Sequence, residues 1–132
     1  MTLVVDASVV VAALVGTGDV GPWAEQLMAQ GGLAAPSHLL VETANALRRL
    51  GLAGQLSDDA AALAHEDLLA LPVEMFDYRP LARRVWELRS AVTAYDGCYV
   101  ALAEALEAPL ATLDLRLARA PGLRCQVIAQ PT

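Results

Sequence analysis

The sequence contains no lysine, and all nine of its basic residues are arginines. Mechanisms that depend on a lysine amine are therefore excluded. Fifteen acidic residues give the chain a formal net charge of −6. This charge argues against non-specific attraction to a nucleic acid backbone, because such binding normally rests on a basic face. Any contact with a nucleic acid must therefore be local.

Cysteines and long apolar runs are also scarce. Cys98 and Cys125 lie in separate apolar stretches and are more typical of buried thiols than of a disulfide framework. The longest aliphatic run, residues 9–15, is too short to span a bilayer. No basic residue precedes Arg48, so a secretory leader is not expected. We therefore expect a soluble, cytoplasmic protein that does not insert into a membrane.

Apolar residues, in contrast, are abundant. They make up 56% of the 132 residues, and a chain of this size forms one domain, residues 1–132, that buries roughly two-thirds of its unfolded surface. Short apolar runs predict strands at residues 3–5, 33–35, 73–76, 110–113 and 126–129. Helical spacing of apolar residues predicts helices at 7–15, 22–30, 39–50, 58–71, 79–89 and 93–106. Strands separated by helices need crossover connections, which predicts a three-layer α/β/α sandwich with a mostly parallel sheet.

Four acidic residues interrupt apolar runs where predicted strands pass into helices. Asp6 and Asp114 each follow a strand, Glu42 lies early in the helix at 39–50, and Asp96 lies near the start of the helix at 93–106. The structural interpretation is capping, which suits Asp6 and Asp114, and Thr93 with Asp96 fits a capping box. Glu42 lies too far into its helix for that role. An uncompensated charge in such apolar surroundings costs several kcal/mol.

A shared cation would explain all four acids together. Side chains at the carboxyl ends of parallel strands converge on one edge of the sheet, although periodicity alone does not decide which strands are neighbours. If the acids meet, each like-charge pair at about 4 Å costs on the order of 1 to 4 kcal/mol. Ligands that are all hard oxygens favour Mg²⁺ or Mn²⁺ over Zn²⁺. His38 and His65 share no motif with an acid and are expected at the surface or at a helix edge, without a role.

Other acidic or glycine-rich α/β classes fit less well. Residues 16–21 match the dinucleotide fingerprint GxGxxG, but Pro22 would fall inside the helix that such a loop opens, and no ribose-binding acid follows the second strand. A phosphoacceptor receiver domain would need paired acids after the first strand and a lysine. A dehalogenase-like phosphatase would need an aspartate where the chain has Ser8.

Four segments around these acids resemble the PIN domain family, and within it the VapC ribonuclease toxins of bacterial toxin–antitoxin pairs. They read VVDAS at residues 4–8, LVETANAL at 40–47, YDGCYVALA at 95–103 and ATLDLRLA at 111–118. The resemblance implies a five-stranded parallel sheet of order 3-2-1-4-5, in which Asp6 and Asp114 come together. It places the catalytic and metal-binding acids at Asp6, Glu42, Asp96 and Asp114, with support from Ser8, Asn45 and Thr112.

The resemblance also implies an activity and partners. The activity is Mg²⁺-dependent hydrolysis of RNA phosphodiester bonds by water, leaving 5′-phosphate and 3′-hydroxyl ends. The partners are RNA, a VapB-like antitoxin and a second copy of the chain in a homodimer. Guanidinium groups suit phosphate oxygens, so the predicted RNA contacts are Arg48, Arg83, Arg84 and Arg116, with ordinary solvated helix faces as the alternative. The competing function is a non-catalytic PIN-fold module that binds RNA or protein.

Overall fold

Five strands form one parallel sheet in the structure, a computed structural model that describes residues 1–130. The single domain predicted for residues 1–132 includes Pro131 and Thr132, which lie outside the described residues. Neighbouring strands pair in the order β3-β2-β1-β4-β5, and every pair is parallel, which confirms the order implied by the resemblance. The strands are β1 (Thr2–Val5), β2 (Gly32–Pro36), β3 (Val73–Phe76), β4 (Leu110–Ala111) and β5 (Val127–Ile128).

Helices cover both faces of this sheet. Val4 and Val5 point to opposite faces of β1 because successive side chains of a strand alternate, and both are fully buried. The first four helices pack against one another, whereas α6 packs against β1, β2 and β4. The helices are α1 (Ala7–Val15), α2 (Val20–Met28), α3 (Leu39–Leu52), α4 (Asp58–Ala70), α5 (Ala82–Glu87), α6 (Ala94–Leu106) and α7 (Leu115–Ala118).

Some predicted segments differ from the observed ones by two residues or more. The helix predicted at 22–30 is α2, Val20–Met28. The helix predicted at 79–89 is a 3₁₀ turn, Arg79–Leu81, followed by α5, and Pro80 lies in the first turn of this segment, where its missing N–H is tolerated. The strand predicted at 110–113 pairs only at Leu110–Ala111, since the amides of Leu113 and Asp114 bond to hydroxyls outside the sheet. The short helix α7 was not predicted.

Several other features agree with the sequence analysis. Ser57 caps α4 by accepting a hydrogen bond from the amide of Ala60 at 3.1 Å. Cys98 is buried and Cys125 half-buried, and both are free thiols. No single helix within residues 1–130 has the length and apolar composition of a membrane span. Taken together, α1 and α2 have both, but the two helices meet at an angle of 113°.

Candidate active site

Asp6 lies directly after β1 and is almost fully buried, with 6% of its surface exposed. Its Oδ1 accepts the amide of Val9 at 3.2 Å and so caps α1. The hydroxyl of Ser8 donates to Oδ1 at 2.5 Å, and the hydroxyl of Thr112 donates to Oδ2. Asp6 is therefore a helix cap whose carboxylate is also held from two sides.

The two hydroxyls join the ends of β1 and β4. Ser8 Oγ accepts the amide of Leu113 at 2.9 Å, and Thr112 Oγ1 accepts the amide of Asp114 at 3.0 Å. Because a hydroxyl can accept one hydrogen bond while it donates another, each links the backbone after β4 to Asp6. This arrangement places Asp114 beside Asp6 at the carboxyl edge of the sheet.

Asp114 begins α7. Its Oδ1 accepts the amides of Arg116 at 2.9 Å and Leu117 at 3.4 Å, so the capping interpretation of Asp114 is also confirmed. The Arg116 Nε lies 3.7 Å from this oxygen, but the Arg116 side chain is 95% exposed. Such an exposed ion pair contributes little stability, which leaves the guanidinium free to meet another anion.

Asp96 lies close enough to the other three acids for their charges to affect its pKa. It lies in the first turn of α6, where its amide donates to the capping hydroxyl of Thr93 at 3.1 Å. Burial raises the pKa of Asp96 above its ordinary value, and the negative charges of Asp114, Asp6 and Glu42 raise this pKa further. A cavity of about 200 Å³ has both Asp96 and Asp114 in its wall. The structure thus brings the four predicted acids to one region.

Glu42 is held by a residue that the sequence analysis did not single out. The hydroxyl of Tyr99 donates to Glu42 Oε1 at 2.6 Å. The Nε2 atom of His38 lies 3.3 Å from the same oxygen, without the angle of a hydrogen bond. Asn45, predicted to support Glu42, is exposed, and within residues 1–130 the hydrogen bond to Glu42 comes from Tyr99.

His38 lies at the start of α3, the helix edge predicted for it, but it is half-buried and contacts an acid of the site. Its ring meets those of Tyr95 and Tyr99 edge-on, with centroids 5.7 and 5.2 Å apart. Two local signals were present in the sequence. His38 and Glu42 are four residues apart at the start of a helix, and Asp96 and Tyr99 are three apart, so each pair shares a helix face.

The donor atoms suit a hard cation. Within the described chain, no three His, Cys, Asp or Glu side chains lie close enough together to bind one metal ion directly. The carboxylates are therefore too far apart to form a complete coordination shell from protein atoms alone. Mg²⁺ commonly retains several waters and is held by one or two carboxylates. Asp96 and Asp114 in the cavity wall fit that mode of binding, and neither carboxylate favours Zn²⁺.

The predicted arginine contacts separate into two groups. Arg48, Arg83 and Arg116 are exposed. Arg84 instead donates to Glu104 Oε1 at 2.7 Å, to the carbonyl of Gly122 at 2.7 Å and to Glu87 at 3.1 Å. Burial by itself would raise the pKa of Glu104, but hydrogen bonds, that from Arg84 foremost, lower this pKa below its ordinary value. The guanidinium of Arg84 is thus occupied within the fold, and its position does not support the predicted RNA contact.

Acidification is expected to stabilise the metal-free protein through Asp6 and Asp96. Burial raises the pKa of Asp6 even though hydrogen bonds from Ser8 and Thr112 lower it, and the pKa of Asp96 is raised as well. The folded state therefore binds these protons more tightly than the unfolded state, where both groups titrate near 3.8. Their destabilising effect is full above the raised pKa values and disappears as the pH falls through those values toward 3.8.

Urea unfolding in EDTA between pH 7 and pH 4 measures this effect, with Asp96→Asn as the reference. The stability advantage of Asp96→Asn over the wild type should shrink steadily as the pH falls. A difference that stays constant over this range would contradict the raised pKa of Asp96.

Comparison with known proteins identifies the family. The model of the PIN domain matches residues 3–123. Ribonuclease VapC1 of Mycobacterium tuberculosis is 42% identical over 125 residues, which cover 94% of each chain. Ribonuclease VapC9 of the same species is 38% identical over 129 residues and covers 98% of each chain.

Solved structures agree on the fold. The structure of PAE2754 from Pyrobaculum aerophilum superposes with a TM-score of 0.73 at 21% identity, covering 96% of this chain and 83% of that chain. VapC20 of Mycobacterium tuberculosis superposes with a TM-score of 0.69 at 19% identity, covering 92% and 95% respectively. Together with the sheet order and the grouped acids, these similarities show that the chain belongs to the PIN domain family.

Proposed function

We propose that the protein is an endoribonuclease that depends on Mg²⁺ or Mn²⁺ and acts as the toxin of a toxin–antitoxin pair. The observation that carries this proposal is the placement of Asp96 among three other carboxylates, in a chain 42% identical to a VapC ribonuclease over nearly its whole length. Such a group of like charges is costly without a cation. A hard divalent ion meets that requirement and suits phosphodiester hydrolysis.

The acidic residues of the site would have different roles in hydrolysis. Asp96 and Asp114 are the side chains that would hold the ion, while hydrogen bonds from Ser8 and Thr112 fix the carboxylate of Asp6 at the end of β1. Glu42 would also help to hold the ion, directly or through one of the waters that Mg²⁺ retains. When bound, the ion supplies charge that polarises a phosphate and lowers the pKa of a water molecule. Positions fixed in advance matter because they need no rearrangement as charge develops in the reaction.

RNA would approach over the exposed arginines. Arg116 lies beside Asp114 at the mouth of the cavity that contains Asp96, and a guanidinium there can bind a phosphate oxygen of the substrate. Arg48 and Arg83 remain candidates for contacts further along the strand. Local contacts of this kind are consistent with the net negative charge of the chain.

An antitoxin partner fits a second surface. A groove of about 490 Å³ extends from Ser8 and Leu113 along the aliphatic side chains of Val11, Val15 and Leu56. It could receive an apolar segment of a VapB-like antitoxin, whose basic residues would then reach the acids of the site. We also propose a homodimer in the cytoplasm. Free thiols suit a reducing compartment, and exposed Val41, Leu52 and Leu63 offer apolar surface for a second copy.

Removal of divalent metal is expected to abolish cleavage. The purified protein would be treated with EDTA, dialysed, and assayed on labelled RNA before and after addition of Mg²⁺, Mn²⁺ or Zn²⁺. Mg²⁺ and Mn²⁺ should restore cleavage. At about 100 times the Kd, either ion should also add about 2.7 kcal/mol to the free energy of unfolding.

A matched preparation of Asp96→Asn controls for contaminating nucleases, and sequencing of the product ends checks for 5′-phosphates. Cleavage by the metal-free protein would overturn the metal-dependent mechanism. RNA binding without any cleavage under all metal conditions would favour the non-catalytic module instead.

A further inference from the structure

We propose that Tyr99 is a positioning residue, whose hydroxyl holds Glu42 at the acidic site and thereby sets how tightly the site binds a divalent cation. This inference rests on the proposed metal-dependent function. Tyr99 does not touch the substrate in this proposal. It acts through the carboxylate of Glu42.

The contact joins two helices that are distant in sequence. Tyr99 lies on α6 and Glu42 on α3, separated by 57 positions, and the hydroxyl reaches Oε1 at 2.6 Å. Tyr99 is also one turn from Asp96 on the same helix, so the two side chains project from one face. Helix α6 therefore supplies one acid of the site directly and restrains another.

Glu42 needs such a restraint. Its side chain is 32% exposed and has several rotatable bonds, so a free glutamate would lose rotamer entropy on binding an ion. The hydrogen bond from Tyr99 fixes Oε1 before any ligand arrives. Oε2 accepts no hydrogen bond within residues 1–130 and remains available to a cation.

The surroundings keep the phenol ring in place. Tyr99 is 1% exposed, and the ring of His38 packs edge-on against it while also approaching Glu42 Oε1. A buried phenol hydroxyl normally requires a hydrogen-bond partner. Within the described chain that partner is Glu42, an acid of the site, which gives this core position a reason to carry tyrosine and not phenylalanine.

The inference is tested by a double-mutant cycle on metal affinity, using Tyr99→Phe, Glu42→Gln and the double variant. Mn²⁺ binding is measured by calorimetry and electron paramagnetic resonance in the absence of RNA. Groups that orient metal ligands typically contribute 10–100-fold to affinity, so we expect Tyr99→Phe to raise the Kd by about 10-fold or more. If Tyr99 acts through Glu42, adding Tyr99→Phe to Glu42→Gln should cause little further loss.

Tyr95→Phe is the matched control, because Tyr95 is on the same helix, also meets His38 and is exposed. Its Mn²⁺ Kd should stay within about 2-fold of the wild type, given its exposed position. Saturating Mn²⁺ should restore much of the RNA cleavage of Tyr99→Phe, since its defect is in binding the ion. A purely structural role would lower the melting temperature without changing the Mn²⁺ Kd.

The outcomes separate this inference from the proposed function. If the wild type binds Mn²⁺ and cleaves RNA while Tyr99→Phe has an unchanged Kd, the role of Tyr99 is overturned and the nuclease assignment stands. If the wild type neither binds Mn²⁺ nor cleaves RNA, both fail. Should Tyr99→Phe fold poorly, Glu42→Asp leaves Tyr99 in the core and shortens the carboxylate arm, and a Kd equal to that of the wild type would overturn the inference.

Discussion

Replacing Asp96 by Asn is expected to reduce RNA cleavage by more than about 100-fold, since residues that merely orient metal ligands already contribute 10–100-fold. Asp96 lies in the cavity wall with Asp114, and the negative charges of the other three acids repel its carboxylate. Asparagine has nearly the same shape but lacks the negative charge that holds a cation. The loss should therefore appear in activity and not in folding.

The same substitution should leave the metal-free protein as stable as the wild type or more stable. Removing one charge relieves the repulsion from Asp114, Asp6 and Glu42, and the cap of α6 is retained because Thr93 accepts the backbone amide of residue 96. Cleavage rates and thermal unfolding in EDTA would be measured together. Asp67→Asn, an exposed change in α4, is the matched control and should affect neither quantity.

Two results would contradict this prediction in different ways. Undiminished cleavage by Asp96→Asn would remove Asp96 from the active site. Unfolding of Asp96→Asn at ordinary temperature would instead mean that the carboxylate acts mainly as a structural group at the start of α6.

Replacing Arg84 by Ala is expected to cost the largest amount of stability among the charged residues, about 2–3 kcal/mol. Arg84 pairs with Glu104 through two nitrogens and donates to the carbonyl of Gly122, and Glu104 also accepts the amide of Arg124. The side chains of Arg84 and Glu104 are only 19% and 12% exposed. Loss of one partner from a buried pair costs about 3–5 kcal/mol, and partial exposure reduces that figure.

The loss of stability is expected to be large because Arg84 lies where three segments of the chain meet. Arg84 on α5 and Glu104 on α6 together hold residues 122–124, the loop that leads into β5. Without Arg84, the carboxylate of Glu104 remains half-buried with fewer donors. Chemical denaturation should show the loss, and the melting temperature should fall by roughly 10 °C for a domain of this size.

Arg83→Ala provides the comparison, because Arg83 is the exposed neighbour on the same helix. Its stability should stay within about 0.5 kcal/mol of the wild type. Well below its melting temperature, Arg84→Ala should cleave RNA at nearly the wild-type rate. A normal stability combined with weaker RNA binding would instead restore Arg84 to the phosphate contacts.

Local patterns predicted most of the secondary structure. Helix α1 occupies the predicted residues, and β3 and the start of α4 also agree, because apolar spacing and caps such as Ser57 act within a few residues. One clear error arose where distant contacts intervened. The hydroxyls of Ser8 and Thr112 shortened β4 by accepting hydrogen bonds from the amides that follow it.

In the candidate site, too, local sequence patterns identified some residues and distant contacts determined the others. Asp6, Glu42, Asp96 and Asp114 were identifiable because each is a charge in an apolar run. Their partners have no such local signal. Thr112, 106 positions from Asp6, was named only through the family resemblance, and Tyr99, 57 positions from Glu42, was not named at all. Arg84 was assigned to RNA because its buried partner, Glu104, is 20 residues away and leaves no local signal.

Local sequence patterns were enough to predict most elements, their order, the α/β class and the acids that stand out chemically, because hydrophobic period and helix capping are properties of neighbouring residues. Which side chains meet depends on how the elements pack. Hydrogen bonds such as Tyr99–Glu42 and Arg84–Glu104 act over about 3 Å in space, and only the packed sheet and helices bring those atoms within that distance.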